Sequence, residues 1–515
     1  MNAKKKDASA KWLALLVICI GTFMASLDSS IVNIAVSKMM SVFGASLDDV
    51  KWILTAYTLT LGAIVPLSGY LGDVFGYKKV FIFALAAFTL GSFLCGISWS
   101  NTAMIVFRII QAMGGGMIIP VGMAMVMQIF PPEGRGTAMG FWGIAATAAP
   151  AIGPTLGGYI IQNLDWRLIF YVNVPIGICG VILAGILLEG TPPRPFKQFD
   201  YLGFISSTMG IVSILYVLGE GTAIDWENIK NPLLIVLGVG SMLLFVINEL
   251  THPDPLLELR VLKRFDFTIS QIIQCIMFFV LMGGMYVVPL FLQNLRGYTA
   301  METGIILFPS ALVSGLMMPI GGKLFDKIGA KLLCIIGMLI LIISSYLLAF
   351  INMDTSRSAI ISILTIRGAG LGLVLMPITT VGMNAIPQHL SGKASALNNV
   401  IKQIAISLSV TIMTTTIQSR LDLNYSKLSE QITPFNPVAK MLIRQLQGLF
   451  MQNGYSQSEA NSLAISVIAG VVQKQAYVDA VDYALAMTTV IVLIAIVLVL
   501  LMRNGRSDQE SSLNH

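Results

Sequence analysis

Apolar stretches of about 18 or more residues recur from one end of this chain to the other, and that repetition closes off most folds. Each is long enough to cross a hydrocarbon core as a helix, which pairs its own backbone groups where no water can. The pattern predicts fourteen spans: 12–36, 50–70, 79–98, 103–128, 137–161, 168–188, 201–219, 233–250, 267–293, 304–323, 332–351, 359–384, 393–418 and 479–502. Only 11% of the 515 residues are charged. A soluble domain carries about 25%, so a water-soluble core is excluded. The chain reads as an all-α polytopic membrane protein. Its first apolar stretch runs on into Leu27-Asp28-Ser29-Ser30-Ile31-Val32-Asn33 without a small-residue cleavage site, as a retained helix does and a signal peptide does not.

Loop charges give the sidedness. One set of alternate segments, including both termini, holds 18 Lys and Arg residues; the short loops of the other set hold 6. By the positive-inside rule both termini are cytoplasmic, as an even number of spans requires. The net charge of +6 therefore reflects orientation and gives no sign of a nucleic-acid partner. The longest loop, 419–478, falls on the outer side. Val438, Met441, Leu442, Leu446, Leu449 and Phe450 recur there at helical spacing, and Ser456 with Glu459 forms a capping box. An amphipathic hairpin on the outer membrane face is expected.

The chain also repeats itself. Gly69-Tyr70-Leu71-Gly72-Asp73-Val74-Phe75-Gly76-Tyr77-Lys78-Lys79 has a degenerate copy in Gly322-Lys323-Leu324-Phe325-Asp326-Lys327-Ile328-Gly329-Ala330-Lys331. Asp73 and Asp326 lie 326 − 73 = 253 residues apart, and Arg108 and Arg367 lie 367 − 108 = 259 apart. Two elements repeating at nearly one offset imply two similar six-helix bundles with two extra central helices between them. Many secondary transporters are built so, with the substrate site at the repeat interface near the midplane. The expected division is a tail over 1–11, an N-terminal bundle over 12–188, a linker with two additional helices over 189–266, a C-terminal bundle over 267–502 and a tail over 503–515.

Against this background Asp28 stands out, an acid near the middle of the first span. A carboxylate at that depth costs at least about 2.5–3.5 kcal/mol on insertion scales, and it marks a functional site. Lys402, about nine residues into its span, is the corresponding oddity among the cations. The five cysteines fall inside apolar spans without metal-ligand spacing, and His252, His389 and His515 form no metal cluster, so no metal site is expected. No phosphate-binding G-x4-G-K-[ST] loop is present, and the residues of membrane-embedded hydrolysis are missing. Gly368-Ala369-Gly370-Leu371-Gly372 lies inside a span, where it serves packing.

The Gly69–Lys79 segment resembles the signature loop of the major facilitator superfamily, G-x-L-x-D-x-x-G-x-[RK]-[RK]. The resemblance implies the major facilitator fold with 14 transmembrane helices. It also implies a conformational latch formed by Gly69, Gly72, Asp73, Gly76, Lys78, Lys79 and, in the second copy, Asp326. Arg108-Ile109-Ile110-Gln111-Ala112-Met113-Gly114-Gly115-Gly116 resembles the family's span 4 motif, whose arginine is linked to proton transfer. Pairing with a cation favours a charged carboxylate and burial disfavours it, and a proton carrier needs both forms within reach. Gly153-Pro154-Thr155-Leu156-Gly157-Gly158, with Pro150 upstream, is similar to the antiporter motif of drug/proton exchangers. Ala145 and Ala149 stand where the fuller motif has glycine.

Leu27–Ala35, Trp166–Gly177 and Gly392–Asn399 with Lys402-Gln403 look like hallmarks of the 14-span drug/proton antiporters, the EmrB/QacA-like permeases. Two departures are Lys38, near where relatives carry proline, and Lys402 in place of arginine. The implied function is proton-coupled export of lipophilic drugs, cations foremost, by alternating access across a bacterial cytoplasmic (inner) membrane. Asp28 and Arg108 would couple protons, and Asp28, Asn33, Gln111, Lys402 and Gln403 would line the substrate cavity. The alternative is the same fold exporting a dedicated metabolite, siderophore or signalling nucleotide. No enzymatic activity and no cofactor beyond the proton gradient are expected. The partners are a small-molecule substrate, protons and the lipid bilayer, with no nucleic acid. The chain should act as a monomer, with an adaptor protein if the cell has an outer membrane.

Overall fold

The computed structural model describes residues 2–190, 199–220, 227–432 and 436–502. Among them are fourteen helices long and apolar enough to cross a membrane: α1 (Ser9–Phe43), α2 (Leu47–Phe75), α3 (Tyr77–Gly96), α4 (Asn101–Ile129), α5 (Pro132–Asn163), α6 (Leu168–Leu187), α7 (Tyr201–Glu220), α8 (Lys230–Thr251), α9 (Phe265–Leu295), α10 (Met301–Ile328), α11 (Ala330–Leu348), α12 (Arg357–Asn384), α13 (Gln388–Glu430) and α14 (Gln457–Leu501).

Local chemistry sets the helix ends. Ser46 with Asp49 caps α2, Thr299 with Glu302 caps α10, and Ser456 with Glu459 caps α14, each pair exchanging side-chain and backbone hydrogen bonds. The turns from α2 to α3 and from α10 to α11 each rest on one glycine with left-handed φ, Gly76 at 87° and Gly329 at 84°. They are 329 − 76 = 253 residues apart, so the repeat offset extends to backbone conformation. Any L side chain at either place would be strained.

Helices α1–α6 form one bundle and α9–α14 the other, while α7 and α8 pair with each other. α7 lies on the seam between the bundles. Gly62 of α2 lets Ile211 and Leu215 approach closely, and Thr411 of α13 donates to the Leu218 carbonyl at 2.8 Å.

The bundles meet along α5 and α10 and through α13 against α2 and α4. Among the described residues, their mutual hydrogen bonds are concentrated toward the end carrying the Gly76 and Gly329 turns, here called the latch end. Gln388 donates to the Gln128 carbonyl, Arg135 to Asn384 at 3.0 Å, and Ser395 to the Pro120 carbonyl at 2.8 Å. The molecule is closed at the latch end.

Two expectations change. Helix begins at Asn2, so the segment taken as a tail continues into the first span. Within 419–478 the expected helical hairpin is present, with the Ser456–Glu459 capping box opening its second arm, but both neighbouring spans extend into the segment. α13 runs on to Glu430, α14 begins at Gln457, and only the helix Pro437–Gln452 between them is separate, packed on α14. The reason is local: Ser419–Glu430 contains neither proline nor glycine, so nothing stops the helix where apolar character ends. The tail over 503–515 and part of the linker lie outside the described residues.

Candidate functional site

Asp28 of α1 is completely buried, and two further helices, α4 and α6, converge on it. Its Oδ2 accepts from Arg108 Nη1 at 2.6 Å, while Oδ1 accepts from Gln111 Nε2 at 2.8 Å and from Asn173 Nδ2 at 3.0 Å. Arg108 and Gln111 stand one turn apart on α4, the i, i+3 spacing that puts both on one face. Arg108 Nη1 also donates to Gln111 Oε1 at 2.6 Å, and Gln111 Nε2 to Ser92 Oγ of α3 at 2.6 Å. The guanidinium lies 3.8 Å from the centre of the Tyr57 ring of α2, a cation–π contact in a dry setting.

The arrangement satisfies both carboxylate oxygens and neutralises the charge, as a buried ion pair requires. Arg108 Nε and Asn173 Oδ1 remain without partners.

The proline-rich helix α5 packs beside it. Pro154 has no N–H to give the Pro150 carbonyl one turn earlier, and Ser30 Oγ of α1 supplies the missing donor at 2.7 Å. Gly153 packs against Ser30, and Gly157 against Ile31. A side chain at either glycine would push α5 off α1, two or three residues from Asp28. Gly158 faces Met301 of α10 across the bundle interface.

At the latch end the second copy of the loop reaches across. Asp326 accepts from the Gly136 and Thr137 amides at 3.2 and 3.0 Å and from Thr137 Oγ1 at 2.7 Å. A carboxylate of the C-terminal bundle thus docks on the second turn of α5 in the N-terminal bundle through charge-assisted hydrogen bonds. In the first copy, Tyr77 donates to Asp73 at 2.8 Å and its hydroxyl overlies Gly392 of α13, while the backbone at Gly69 packs on Gly392. Lys78 donates to the Gly185 carbonyl at 2.8 Å, and Lys79 is exposed.

The repeat is chemically unequal. Shifting Asp28 by the two offsets lands on 28 + 253 = 281 and 28 + 259 = 287, a range without an acid that holds the π-helical turn Gly283–Val287. Arg367 lies against that turn, buried, donating to Ser345 Oγ at 3.4 Å and to the Val280 carbonyl. Ser345 repeats Ser92, 345 − 92 = 253 residues on. The C-terminal bundle keeps the arginine and the serine, but among the described residues no carboxylate pairs with that arginine.

Asn33, Lys402 and Gln403 are not gathered with Asp28. Asn33 is exposed, its amide donating to the Ser29 carbonyl at 3.3 Å. Lys402 and Gln403 are half-buried on α13, and Lys402 Nζ sits 5.4 Å from the centre of the Phe278 ring of α9. Ser92, Tyr57 and Asn173 are contributors that sequence reasoning did not single out. Only Asn173 carried a signal, its place inside the Trp166–Gly177 segment.

Comparison with known proteins fits this architecture. The family model described as the Major Facilitator Superfamily matches residues 18–410. The chain is 34% identical over 509 residues to the "Uncharacterized MFS-type transporter YhcA" of Bacillus subtilis, covering 99% of this chain and 96% of that protein. It is 30% identical to the "Multidrug export protein EmrB" of Escherichia coli K12, covering 87% of each. It is also 30% identical to the "Lincomycin resistance protein LmrB" of Listeria monocytogenes, covering 81% of this chain and 89% of that one. Among solved structures, the human organic anion transporter MFSD10 superposes with TM-score 0.57 at 12% identity over 96% of this chain and 99% of that one, a likeness of fold. The chain belongs to the major facilitator superfamily, as a fourteen-helix transporter, not an enzyme, related to bacterial multidrug exporters.

Proposed function

We propose that this chain is a proton-coupled antiporter that exports lipophilic drugs across the bacterial cytoplasmic membrane by alternating access. One observation carries the reading: Asp28, the acid at the centre of α1, is fully buried on Arg108, beside the proline-rich helix α5. A proton reaching Asp28 cancels its charge and frees Arg108, so protonation changes how α1, α4 and α6 hold together. Proton binding and helix packing are then linked, as an exchanger needs. An inward proton contributes about 2.3 kcal/mol per 100 mV of membrane potential. The latch end is the cytoplasmic end in this reading, and the closed latch corresponds to an outward-directed state. The printed names of the relatives, multidrug export and lincomycin resistance, support export of drugs.

The test is transport in liposomes containing only this protein, with proton release followed alongside. Asp28→Asn should keep expression and lose gradient-driven flux, because an amide cannot titrate. Full flux from that variant overturns the assignment of Asp28.

A second reading, the same fold serving one dedicated metabolite, siderophore or signalling nucleotide, is favoured by one feature. Lys402 is a cation about 16 Å along α13 from its latch end, and among the described residues it has no carboxylate partner. Profiling cells against many unrelated lipophilic compounds separates the two, since resistance to several sinks the dedicated reading. The protein works as a monomer in either case, and an adaptor extends the path where the cell has an outer membrane.

A further inference from the structure

Hydrogen-bonding groups inside a membrane protein are ordinarily satisfied, because an unmet one costs free energy. One place departs from this in concert. On α9, Gln271 and Gln274 are 4% and 3% exposed, yet neither end of the Gln271 amide has a partner, nor does Gln274 Nε2. On α13, Asn398 is 4% exposed and its Oδ1 has none.

These residues share one seam. α9 and α13 pack together and run parallel, both leading away from the latch end. The Phe278–Lys402 contact fixes their register. One turn toward the latch from Phe278 lies Gln274, and one turn from Lys402 lies Asn398; Gln271 follows at the next step. The spacings, three and four residues, put each set on one helix face. Asn398 Nδ2 reaches Met123 Sδ of α4 at 3.8 Å, and Ser395 Oγ the Pro120 carbonyl. The stripe therefore borders the junction of the two bundles, where alternating access exposes a substrate site.

Donors predominate in it. Lys402 offers only donors, and the unpartnered Nε2 groups of Gln271 and Gln274 add more beside an aromatic ring, against two unpartnered acceptors, Gln271 Oε1 and Asn398 Oδ1. Asp28 cannot balance this charge, being already paired with Arg108. An ammonium near the midplane with unpaired amides around it suits an oxygen-rich anionic head far better than a second cation.

We propose that Gln271, Gln274, Asn398 and Lys402 form a subsite for the anionic or carbonyl-rich head of an amphiphilic substrate, a carboxylate or phenolate on an apolar body. The inference deepens the export reading and rests on it for the word substrate, but binding can be measured without any gradient.

The experiment is equilibrium binding to purified full-length protein in nanodiscs of three fluorescent probes on one scaffold: dansyl-aminoundecanoate, its methyl ester and the matching trimethylammonium compound. Wild type should bind the carboxylate about tenfold or more tighter than the ester. Lys402→Met should erase that preference and Lys402→Arg keep part of it. Gln271→Leu should weaken carboxylate and ester alike, since both carry the carbonyl. Equal or tighter binding of the trimethylammonium probe overturns the proposal, as does an unchanged acid-to-ester ratio in Lys402→Met. If Lys402→Met cannot be purified, unchanged carboxylate and ester binding in Gln271→Leu overturns it. Failure of proton-driven flux in wild type with the acid preference intact would strike the export reading and leave the subsite standing.

Discussion

Ser30 donates its hydroxyl to the Pro150 carbonyl at 2.7 Å, filling the place that Pro154 leaves open. The proline-rich stretch of α5 is thereby fastened to α1 two residues beyond Asp28, and the motif gains a physical role beyond close packing. Ser30→Ala removes the donor and should cost about 1 kcal/mol of stability. Thermal unfolding of the purified variant checks this, and transport should lose efficiency in parallel. An unaltered melting curve would show that the carbonyl finds another partner.

Arg108 carries a heavier load. Arg108→Ala leaves ionised Asp28 buried without its cation and should destabilise the protein by about 3–5 kcal/mol. Adding Asp28→Asn to that variant should recover much of the stability and none of the coupled transport. A double variant no more stable than Arg108→Ala alone would mean that the pair is not the stabilising unit. Arg108→Lys keeps the charge but loses the planar guanidinium that places Nη1 between Asp28 and Gln111 and lies over the Tyr57 ring, so partial coupling is expected from flux assays.

Asp326 joins the bundles through three charge-assisted hydrogen bonds, and Asp326→Asn exchanges them for weaker neutral ones. A net loss of about 1 kcal/mol would lower the ratio of latch-closed to latch-open molecules roughly fivefold. Distances between spin labels on Phe75 and His389 report the ratio. A distribution identical to wild type would remove Asp326 from the latch.

Gly76 and Gly329 hold left-handed φ values at equivalent turns. Alanine at either should cost about 1–2 kcal/mol. Similar losses in the two variants, measured by thermal unfolding, are expected from the duplication. A harmless Gly329→Ala would show that the second turn can relax where the first cannot.

Much of this was legible in the sequence because it is local. Helix length, loop charge and the glycine-aspartate pattern of the turns are written in consecutive residues, and Asp28 and Arg108 are conspicuous as charges in apolar helices. Gln111 stands in the same motif as Arg108, though the resemblance set it in the substrate cavity and not on Asp28. Ser92 and Tyr57 were not legible, since small polar and aromatic residues are common in membrane helices and only tertiary packing brings these two to Gln111 and Arg108, while Asn173 was marked only by its segment. The extension of α13 past residue 418 was missed for a different reason: a helix leaving the membrane keeps its backbone but loses its apolar signature. Gln271 and Gln274 looked unremarkable because a missing partner is a property of neighbours, not of the residue.

That extension makes α13 a stiff rod. Its α-helical run Ser391–Glu430 has 40 residues. It starts beside Gly392 at the latch and ends about 60 Å away, twice the thickness of a hydrocarbon core. A tilt of roughly 10° pivoted at the latch would sweep its far tip through about 10 Å. Small rearrangements at one face of the membrane are thereby amplified at the other, and anything gripping the projecting helices receives a mechanical readout of the transport cycle.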